Sequence, residues 1–375
     1  MSDYEPLNLS EKLNAGMDIL GQGLSAEVGF QSFRGLPFSI SADPTRCFIS
    51  LNKDSGSIEI PVKKSAYHII FAHRLLRSDI DDGGPVGSLI ANYSFCMEGE
   101  QKIEYPIRER FEIASVPMDS FRGPSGLPFR AVTDGKHELF PRNEGKWHEF
   151  GRRQTEYLQA TANSYFLWSW ANPNPDRTIE SIRIIPKGPE FVISAITLSH
   201  LDEHPFARQG RREVKFTLTD SPVETTEFDL QVKIDRGDST YPFGLPEDPD
   251  VGFIKALHRG FGERHNKNAS SSYAEISAIP SATVSLEHNG KTIGQIPWGR
   301  IENEGKVETS KFTAELMDRG RNWVKTTILD DDTGLPVPCR VHFRSPEGIP
   351  YQPHGHHNQV NSNLDSWHVD VGGDV

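Results

Sequence analysis

The densest group of potential metal ligands lies near the end of the sequence. His354, His356 and His357 occur in the short run HGHH, and imidazole is a common protein ligand for zinc and iron. Because neighbouring residues of an extended chain point in opposite directions, His354 and His356 could hold one ion while His357 faces away. The alternative is a polar loop whose histidines bond to backbone or to a neighbouring domain. The pattern favours the loop and leaves the metal site open.

Tryptophans are the second source of chemistry, because an indole face can stack against the C–H face of a sugar. Trp147 lies in a long segment with little periodicity, next to His148 and Arg152. Long excursions on β-scaffolds often carry function, so these three residues are predicted ligand contacts, together with Tyr351 ahead of the histidines. The alternative for Trp147 is an anchor that pins the excursion to the fold.

Two further tryptophans are predicted to be structural. In the alternating stretch YFLWSW, Trp168 and Trp170 fall on the same face of a strand. Large aromatic residues on one face of a strand pack between the two sheets of a sandwich. We therefore expect both in a hydrophobic core rather than in a ligand site.

Acidic residues offer one more candidate. Asp79, Asp81 and Asp82 precede Gly83 and Gly84, and calcium takes carboxylate and carbonyl oxygens. The spacing differs from that of an EF-hand loop, which favours a solvated turn. The sequence also has no GxSxG elbow and no phosphate-binding glycine loop, so it displays no complete catalytic set and leaves open whether the chain is an enzyme.

Composition restricts the partners. The net charge of −12 argues against nucleic acid and anionic membranes, which attract basic surfaces. No apolar run approaches the roughly 18 residues of a membrane span, and no signal peptide is visible at the start. The three widely spaced cysteines predict reduced, mostly buried thiols and a cytoplasmic location.

Short alternating stretches predict an all-β chain with few short helices. Residues 66–76 are apolar on both faces, as in a central strand covered on both sides. We predict tandem antiparallel β-sandwiches. A jelly-roll-like sandwich over residues 1–205 is followed by a smaller sandwich over residues 206–325, Ig-like or carboxypeptidase-regulatory-like.

The tail predicts the start of a further β-domain over residues 326–375. Residues 323–330 and 336–344 read as two strands around a turn, and residues 367–371 read as a new strand. A β-domain does not normally end on an unpaired strand, because its open edge lacks a partner. We therefore expect this domain to be incomplete within the 375 residues.

The first half resembles the galactose-binding-like jelly rolls that accompany carbohydrate-active enzymes. The resemblance lies in GLPFSI, in AYHIIFAHRL and, most specifically, in WANPNPDRTIESIRI. It implies a sandwich fold and a carbohydrate ligand.

The tail is similar to the segment ahead of the catalytic domain in CehA/McbA-family metallohydrolases of the polymerase-and-histidinol-phosphatase superfamily. The matching residues are TGLPVPCRVHFRSPEGIPYQPHGHH and the closing WHVDVGGDV. The resemblance implies that this chain is a non-catalytic part of a larger hydrolase. It also implies that the divalent metal, zinc, iron or manganese, belongs to a following or partner domain, since none of the family's ligand motifs maps onto this sequence.

Three functional hypotheses follow. The first is a binding and scaffolding region that positions a carbohydrate or glycoside for a downstream or partner catalytic domain. The second is a metal-dependent enzyme that uses the loop of His354, His356 and His357. The third is a structural subunit that buries an open strand edge in a homo-oligomer. The sequence favours the first.

Overall fold

The structure is a computed structural model, and the chain divides into two compact units. One comprises Met1–Lys136 and Ala160–Ala207, and the other comprises His137–Gln159 and Arg208–Val375. The residues that the structure describes are 2–80, 82–116, 128–135, 138–139, 157–158, 162–207, 212–219, 230–240, 271–288, 290–317, 326–337, 339–341, 358–361 and 366–371.

Most regular structure is β-strand. In chain order the strands are β1 (Tyr4–Pro6), β2 (Phe30–Phe33), β3 (Leu36–Ser39), β4 (Ile49–Leu51), β5 (Ile58–Lys64), β6 (His68–Leu75), β7 (Leu89–Met97), β8 (Lys102–Arg108), β9 (Val132–Thr133), β10 (Glu138–Leu139), β11 (Tyr157–Leu158), β12 (Phe166–Ala171), β13 (Ile179–Pro186) and β14 (Phe191–Ser199). They continue as β15 (Arg212–Leu218), β16 (Leu230–Ile234), β17 (Gly237–Ser239), β18 (Ser271–Ala278), β19 (Thr283–His288), β20 (Lys291–Pro297), β21 (Lys306–Glu308), β22 (Phe312–Leu316), β23 (Cys339–Val341), β24 (Asn358–Asn361) and β25 (Ser366–Val371).

Helical structure in the described part is limited to a 3-10 turn at Met17–Leu20 and one α-helix, α1 (Trp298–Glu304). Neither of these is long and apolar enough to cross a membrane. The predicted all-β class with few short helices is confirmed, whereas the jelly-roll-like and Ig-like refinements stay predictions.

The first unit is a sandwich of two antiparallel sheets. One sheet has the order β1-β14-β6-β12-β9, with β4 also pairing with β14, and the other has the order β5-β13-β7-β8. Inward side chains of both sheets form one core, in which Trp170 stacks on Phe95 with ring centroids 3.6 Å apart. Such burial of large apolar surface is the main stabilising term in a fold of this kind.

Strand β6 is the centre of the larger sheet. It pairs with β14 on one side and β12 on the other, and all eight of its residues are buried. Its Ile69 and Phe71 face the core between the sheets, whereas Ile70 and Ala72 face a second apolar layer on the opposite side. The predicted burial of this strand on both faces is therefore confirmed.

The hairpin of β2 and β3 supplies that second layer. Phe33, Leu36 and Phe38 pack with the outward residues of β6 and β14. The two residues between the strands, Arg34 and Gly35, both have positive φ, 52° and 81°. This backbone geometry suits a tight hairpin and explains why a glycine occupies the second position.

The second unit has its own core between two antiparallel sheets. Their orders are β17-β18-β15-β22-β21 and β16-β19-β20. Apolar residues of both sheets and two residues of α1, Trp298 and Ile301, form one cluster. Strands β19 and β20 pair antiparallel, and Gly290 between them has φ 72°. The predicted boundaries at residues 205/206 and 325/326 stay predictions.

The tail corrects one expectation. The sequence predicts a strand without a partner at residues 367–371, whereas β25 is the middle strand of a sheet with the order β23-β25-β24. The turn around Asp330 is present: the Asp330 carboxylate accepts from the amide and hydroxyl of Thr333. The strands predicted around this turn are shorter in the described residues. Leu329 and Pro336 form a single β-bridge, and β23 follows it.

Two of the three cysteines lie among the described side chains. Cys47 is buried and Cys96 is half-buried, and both are free thiols. Burial is the main cause that raises the pKa of Cys47 to about 11. A thiol with so high a pKa is mostly protonated near neutral pH and is a weak nucleophile, which agrees with the predicted structural role.

Candidate functional site

The ligand and metal residues predicted from the sequence lie outside the described residues. They are Trp147, His148, Arg152, Tyr351, His354, His356 and His357. Both proposals for the histidine loop, metal binding and a polar loop, therefore stay predictions. Among the described residues, no group of three or more histidine, cysteine or acidic side chains is arranged to hold a metal ion.

The two tryptophans predicted to be structural are in the core. Trp168 and Trp170 are 3% and 4% exposed. Trp168 packs against Phe71 and Tyr105, with ring centroids 5.6 Å and 4.9 Å apart. The prediction that they fill the space between the sheets is confirmed.

The acidic loop behaves as a turn in its described part. Arg77 lies 3.8 Å from a carboxylate oxygen of Asp79 and 3.6 Å from one of Asp82. Gly84 packs against the Asp79 backbone, where a Cβ atom would lie 2.6 Å from the Asp79 carbonyl oxygen. Asp81 lies outside the described residues, so the calcium alternative stays a prediction.

A different set of residues comes together where β8 ends. The chain makes a tight turn from Arg108 to Ile113, in which the amides of Phe111 and Glu112 both donate to the Arg108 carbonyl oxygen. The Glu112 side chain is fully buried. Its Oε2 accepts from the backbone amide of Arg108 at 3.0 Å, and its Oε1 accepts from Nη2 of Arg108 at 2.9 Å. A fully engaged carboxylate of this kind fixes the guanidinium in one orientation.

Two phenylalanine rings and two guanidinium groups pack together at this turn. Phe111 and Phe129 meet edge to face, with centroids 5.2 Å apart. The guanidinium carbon of Arg108 lies 4.3 Å from the centre of the Phe111 ring, and that of Arg110 lies 5.2 Å from the centre of the Phe129 ring. These distances are typical of cation–π contacts.

The third guanidinium belongs to Arg130. Its Nη1 donates to the hydroxyl of Tyr105 and lies 3.9 Å from Oε1 of Glu112. Because Tyr105 packs on the buried Trp168, this arginine is tied to the sandwich core. We call Tyr105, Arg108, Arg110, Phe111, Glu112, Phe129 and Arg130 the arginine–phenylalanine cluster.

Backbone bonds hold the two chain segments of the cluster together. The Phe129 amide donates to the Arg110 carbonyl oxygen at 2.9 Å, and the Arg130 amide donates to the Phe111 carbonyl oxygen at 2.9 Å. Arg110 adopts φ 67° to make this connection, a conformation that costs a non-glycine residue stability and persists only where surrounding contacts enforce it. The cluster is therefore a preorganised surface rather than a chance contact of long side chains.

The cluster exposes donors and aromatic faces. Phe129 is 67% exposed, and the Arg130 side chain is 56% exposed. Glu112 is buried and paired with Arg108, and that hydrogen bond raises the pKa of Arg108. The arrangement suits recognition of a planar or ring-shaped ligand with oxygen acceptors. Its charged groups are placed to bind such a ligand rather than to transfer a proton.

Sequence reasoning missed this cluster. The run RERFE (residues 108–112) looks like the polar end of a strand, and FR (residues 129–130) looks like part of a long loop. The available signal was the repeated pairing of arginine with phenylalanine, once just before the predicted excursion and once within it. A comparison of the chain with models of protein families, with curated proteins and with solved structures finds no match.

Proposed function

We propose that this chain is a non-catalytic binding and scaffolding region of a larger metal-dependent hydrolase, and that its first unit binds a carbohydrate at the arginine–phenylalanine cluster. The observation that carries the ligand proposal is the Phe129 ring, two-thirds exposed and held in place beside Arg110 and Arg130. A rigid, exposed aromatic ring offers a surface for the C–H face of a sugar ring. The neighbouring guanidinium groups supply donors to its hydroxyl and ring oxygens.

The fold supports the same proposal. Both chain segments of the cluster are fixed to the sandwich by backbone hydrogen bonds and by the buried Glu112. A site that is already formed loses little conformational entropy when a ligand binds. Sites on loops that a rigid scaffold holds are a common arrangement in binding modules.

The carbohydrate proposal is tested by isothermal titration of the full chain with cellotetraose, galactotetraose and tetragalacturonate. We expect one of these to bind, and Phe129→Ala to weaken that binding at least about tenfold, as truncation of an aromatic binding residue commonly does. Phe30→Ala is the matched control, because Phe30 is 73% exposed on β2. Unchanged binding to Phe129→Ala, or no binding of any of the three, contradicts the proposal.

The association with a hydrolase rests on the resemblance of the tail and has its own test. Purification of the natural protein under mild conditions, followed by mass spectrometry, is expected to find this sequence covalently continued by, or bound to, a chain with metal-ligand histidine and aspartate motifs. Recovery of the sequence as a lone polypeptide contradicts the association and leaves the carbohydrate proposal standing.

A further inference from the structure

Building on the proposed function, we infer that the arginine–phenylalanine cluster selects a saccharide that carries a carboxylate, such as a uronic acid, over a neutral one. The inference combines the charge of the cluster, the free edge of one guanidinium fork and the exposed ring beside it. Each of these is a separate observation on the described residues.

The cluster and the residue next to it carry excess positive charge. Arg108, Arg110 and Arg130 contribute three positive charges, and Glu109 and Glu112 contribute two negative charges, so the local net charge is +1. The whole chain has a net charge of −12. Both carboxylates are buried, at 3% and 0% exposed, whereas the Arg130 side chain is 56% exposed. Arg130 is therefore the most exposed of these five charged side chains, and a cation in this position favours an anionic ligand.

Arg130 offers the geometry that a carboxylate requires. Within the described part of the chain, its polar contacts with Tyr105 and Glu112 both run through Nη1. The opposite edge of the fork, formed by Nε and Nη2, remains for a ligand. Two parallel N–H groups on one edge match the two oxygens of a carboxylate, and this bidentate pairing is stronger and more directional than a single hydrogen bond.

Phe129 indicates that the carboxylate belongs to a ring-shaped molecule. The residue precedes Arg130 in the chain, its ring is 67% exposed, and the ring meets Phe111 edge to face. A bare anion would leave this apolar surface in water. A uronate covers it with the C–H face of the sugar ring while its carboxylate pairs with Arg130, so one ligand satisfies both features.

The test compares tetragalacturonate with galactotetraose and with inorganic phosphate, using the full chain at low salt and equal ionic strength. We expect tetragalacturonate to bind at least about tenfold more tightly than galactotetraose, because one bidentate ion pair is worth about that factor. We also expect phosphate to bind more weakly than tetragalacturonate, and added sodium chloride to weaken tetragalacturonate binding more than galactotetraose binding.

Two substitutions of Arg130 separate charge from geometry. Arg130→Gln removes the charge, and Arg130→Lys keeps the charge but removes the two-pronged edge. We expect both to lower tetragalacturonate affinity about tenfold and to lower galactotetraose affinity by a smaller factor, because the neutral sugar loses a hydrogen bond but no ion pair. Arg183→Gln is the matched control, because Arg183 is an exposed arginine on β13, where it donates to Ser57. Its affinity for tetragalacturonate is expected to equal that of the unsubstituted chain.

The outcomes distinguish this inference from the function on which it rests. Equal affinity for both tetrasaccharides, or full tetragalacturonate affinity in Arg130→Gln, overturns the acidic-sugar inference but leaves carbohydrate binding intact. Phosphate binding as tight as that of tetragalacturonate overturns the saccharide part and identifies a simple anion site. Absence of binding to either tetrasaccharide, with circular dichroism showing a folded chain, overturns this inference and counts against the proposed function.

Discussion

The Nε2 atom of His73 lies 2.9 Å from the carbonyl oxygen of Glu112. A carbonyl oxygen only accepts hydrogen bonds, so Nε2 carries the proton and donates it. The other ring nitrogen, Nδ1, lies 3.1 Å from the Tyr93 hydroxyl and accepts from it. The imidazole is fully buried, and as a neutral ring it joins the core of the first unit to the turn that carries the arginine–phenylalanine cluster.

This arrangement predicts a pH dependence of stability. Burial lowers the pKa of His73 to about 4, below the value of about 6.5 for an exposed histidine. Between these values the unfolded chain binds a proton that the folded chain does not. The contribution of neutral His73 to the free energy of unfolding is therefore complete above about pH 6.5. It falls by about 3 kcal/mol as the pH falls toward 4. Urea unfolding at several pH values measures this slope.

The His73→Gln variant tests the assignment of that slope. We expect a flatter loss of stability between pH 6.5 and 4, because glutamine does not titrate in this range. The remaining slope includes His68, whose pKa burial also lowers to about 4. An identical slope in the variant and in the unsubstituted chain contradicts the assignment to His73.

The Glu112 carboxylate is expected to stabilise the turn of the cluster. Glu112→Gln removes the charge that Arg108 meets at 2.9 Å. The expected loss in the free energy of unfolding is about 2 kcal/mol, typical of a hydrogen bond to a charged group. Glu104→Gln, at an exposed site on strand β8, which precedes the turn, is the control and is expected to change stability by less than about 0.5 kcal/mol. Equal effects of the two substitutions argue against a special role for Glu112.

Asn172 is expected to determine the turn that follows β12. Its buried amide nitrogen donates to the carbonyl oxygens of Ala66 and Asn174, and its side-chain oxygen accepts from the Asn174 amide. Asn172→Ala leaves these groups without their partner, and we expect a loss of about 1–3 kcal/mol in urea unfolding. Asp176→Ala, in the same turn but exposed, serves as the control. A smaller loss of unfolding free energy in Asn172→Ala than in Asp176→Ala contradicts this role of Asn172.

The second unit offers a test of packing. A Cβ atom on Gly294 in β20 would lie 2.7 Å from Cε1 of the buried Phe312, so Gly294→Ala forces that ring to move. We expect a loss of about 1–3 kcal/mol, as for other overpacked cores. Gly56→Ala is the matched control, since nothing lies within 4 Å of its added Cβ. Calorimetry of the full chain measures the unfolding temperature of each variant. An unchanged unfolding temperature in Gly294→Ala rules out this packing constraint.

The histidine loop is tested by metal analysis of the purified chain. If the metal belongs to another domain, we expect well below one equivalent of zinc, iron or manganese by mass spectrometry. The double variant His354→Ala, His356→Ala is then expected to have the same metal content as the unsubstituted chain. One equivalent of metal that disappears in the double variant supports the alternative of a metal-dependent enzyme.

Much of the first unit could be predicted from local patterns. The inward position of Trp168 and Trp170 and the two-sided burial of β6 follow from the alternation of side chains along a strand, which any short window displays. The turn at Asn172 follows from its asparagine and proline residues. The candidate site did not follow in this way, because its residues belong to two separate segments and only backbone pairing brings them together.

The sequence by itself determined the all-β class, the faces of the main strands and the acidic character of the chain, because these depend on side-chain type and spacing along the chain. Tertiary structure alone decided that Arg108 lies against Phe111 and Arg110 against Phe129, that His73 bonds to Glu112, and that β25 lies between β23 and β24. The physical reason is that local periodicity specifies which face of a strand is apolar. The choice of partner strand and register depends on which distant segments bury that face together.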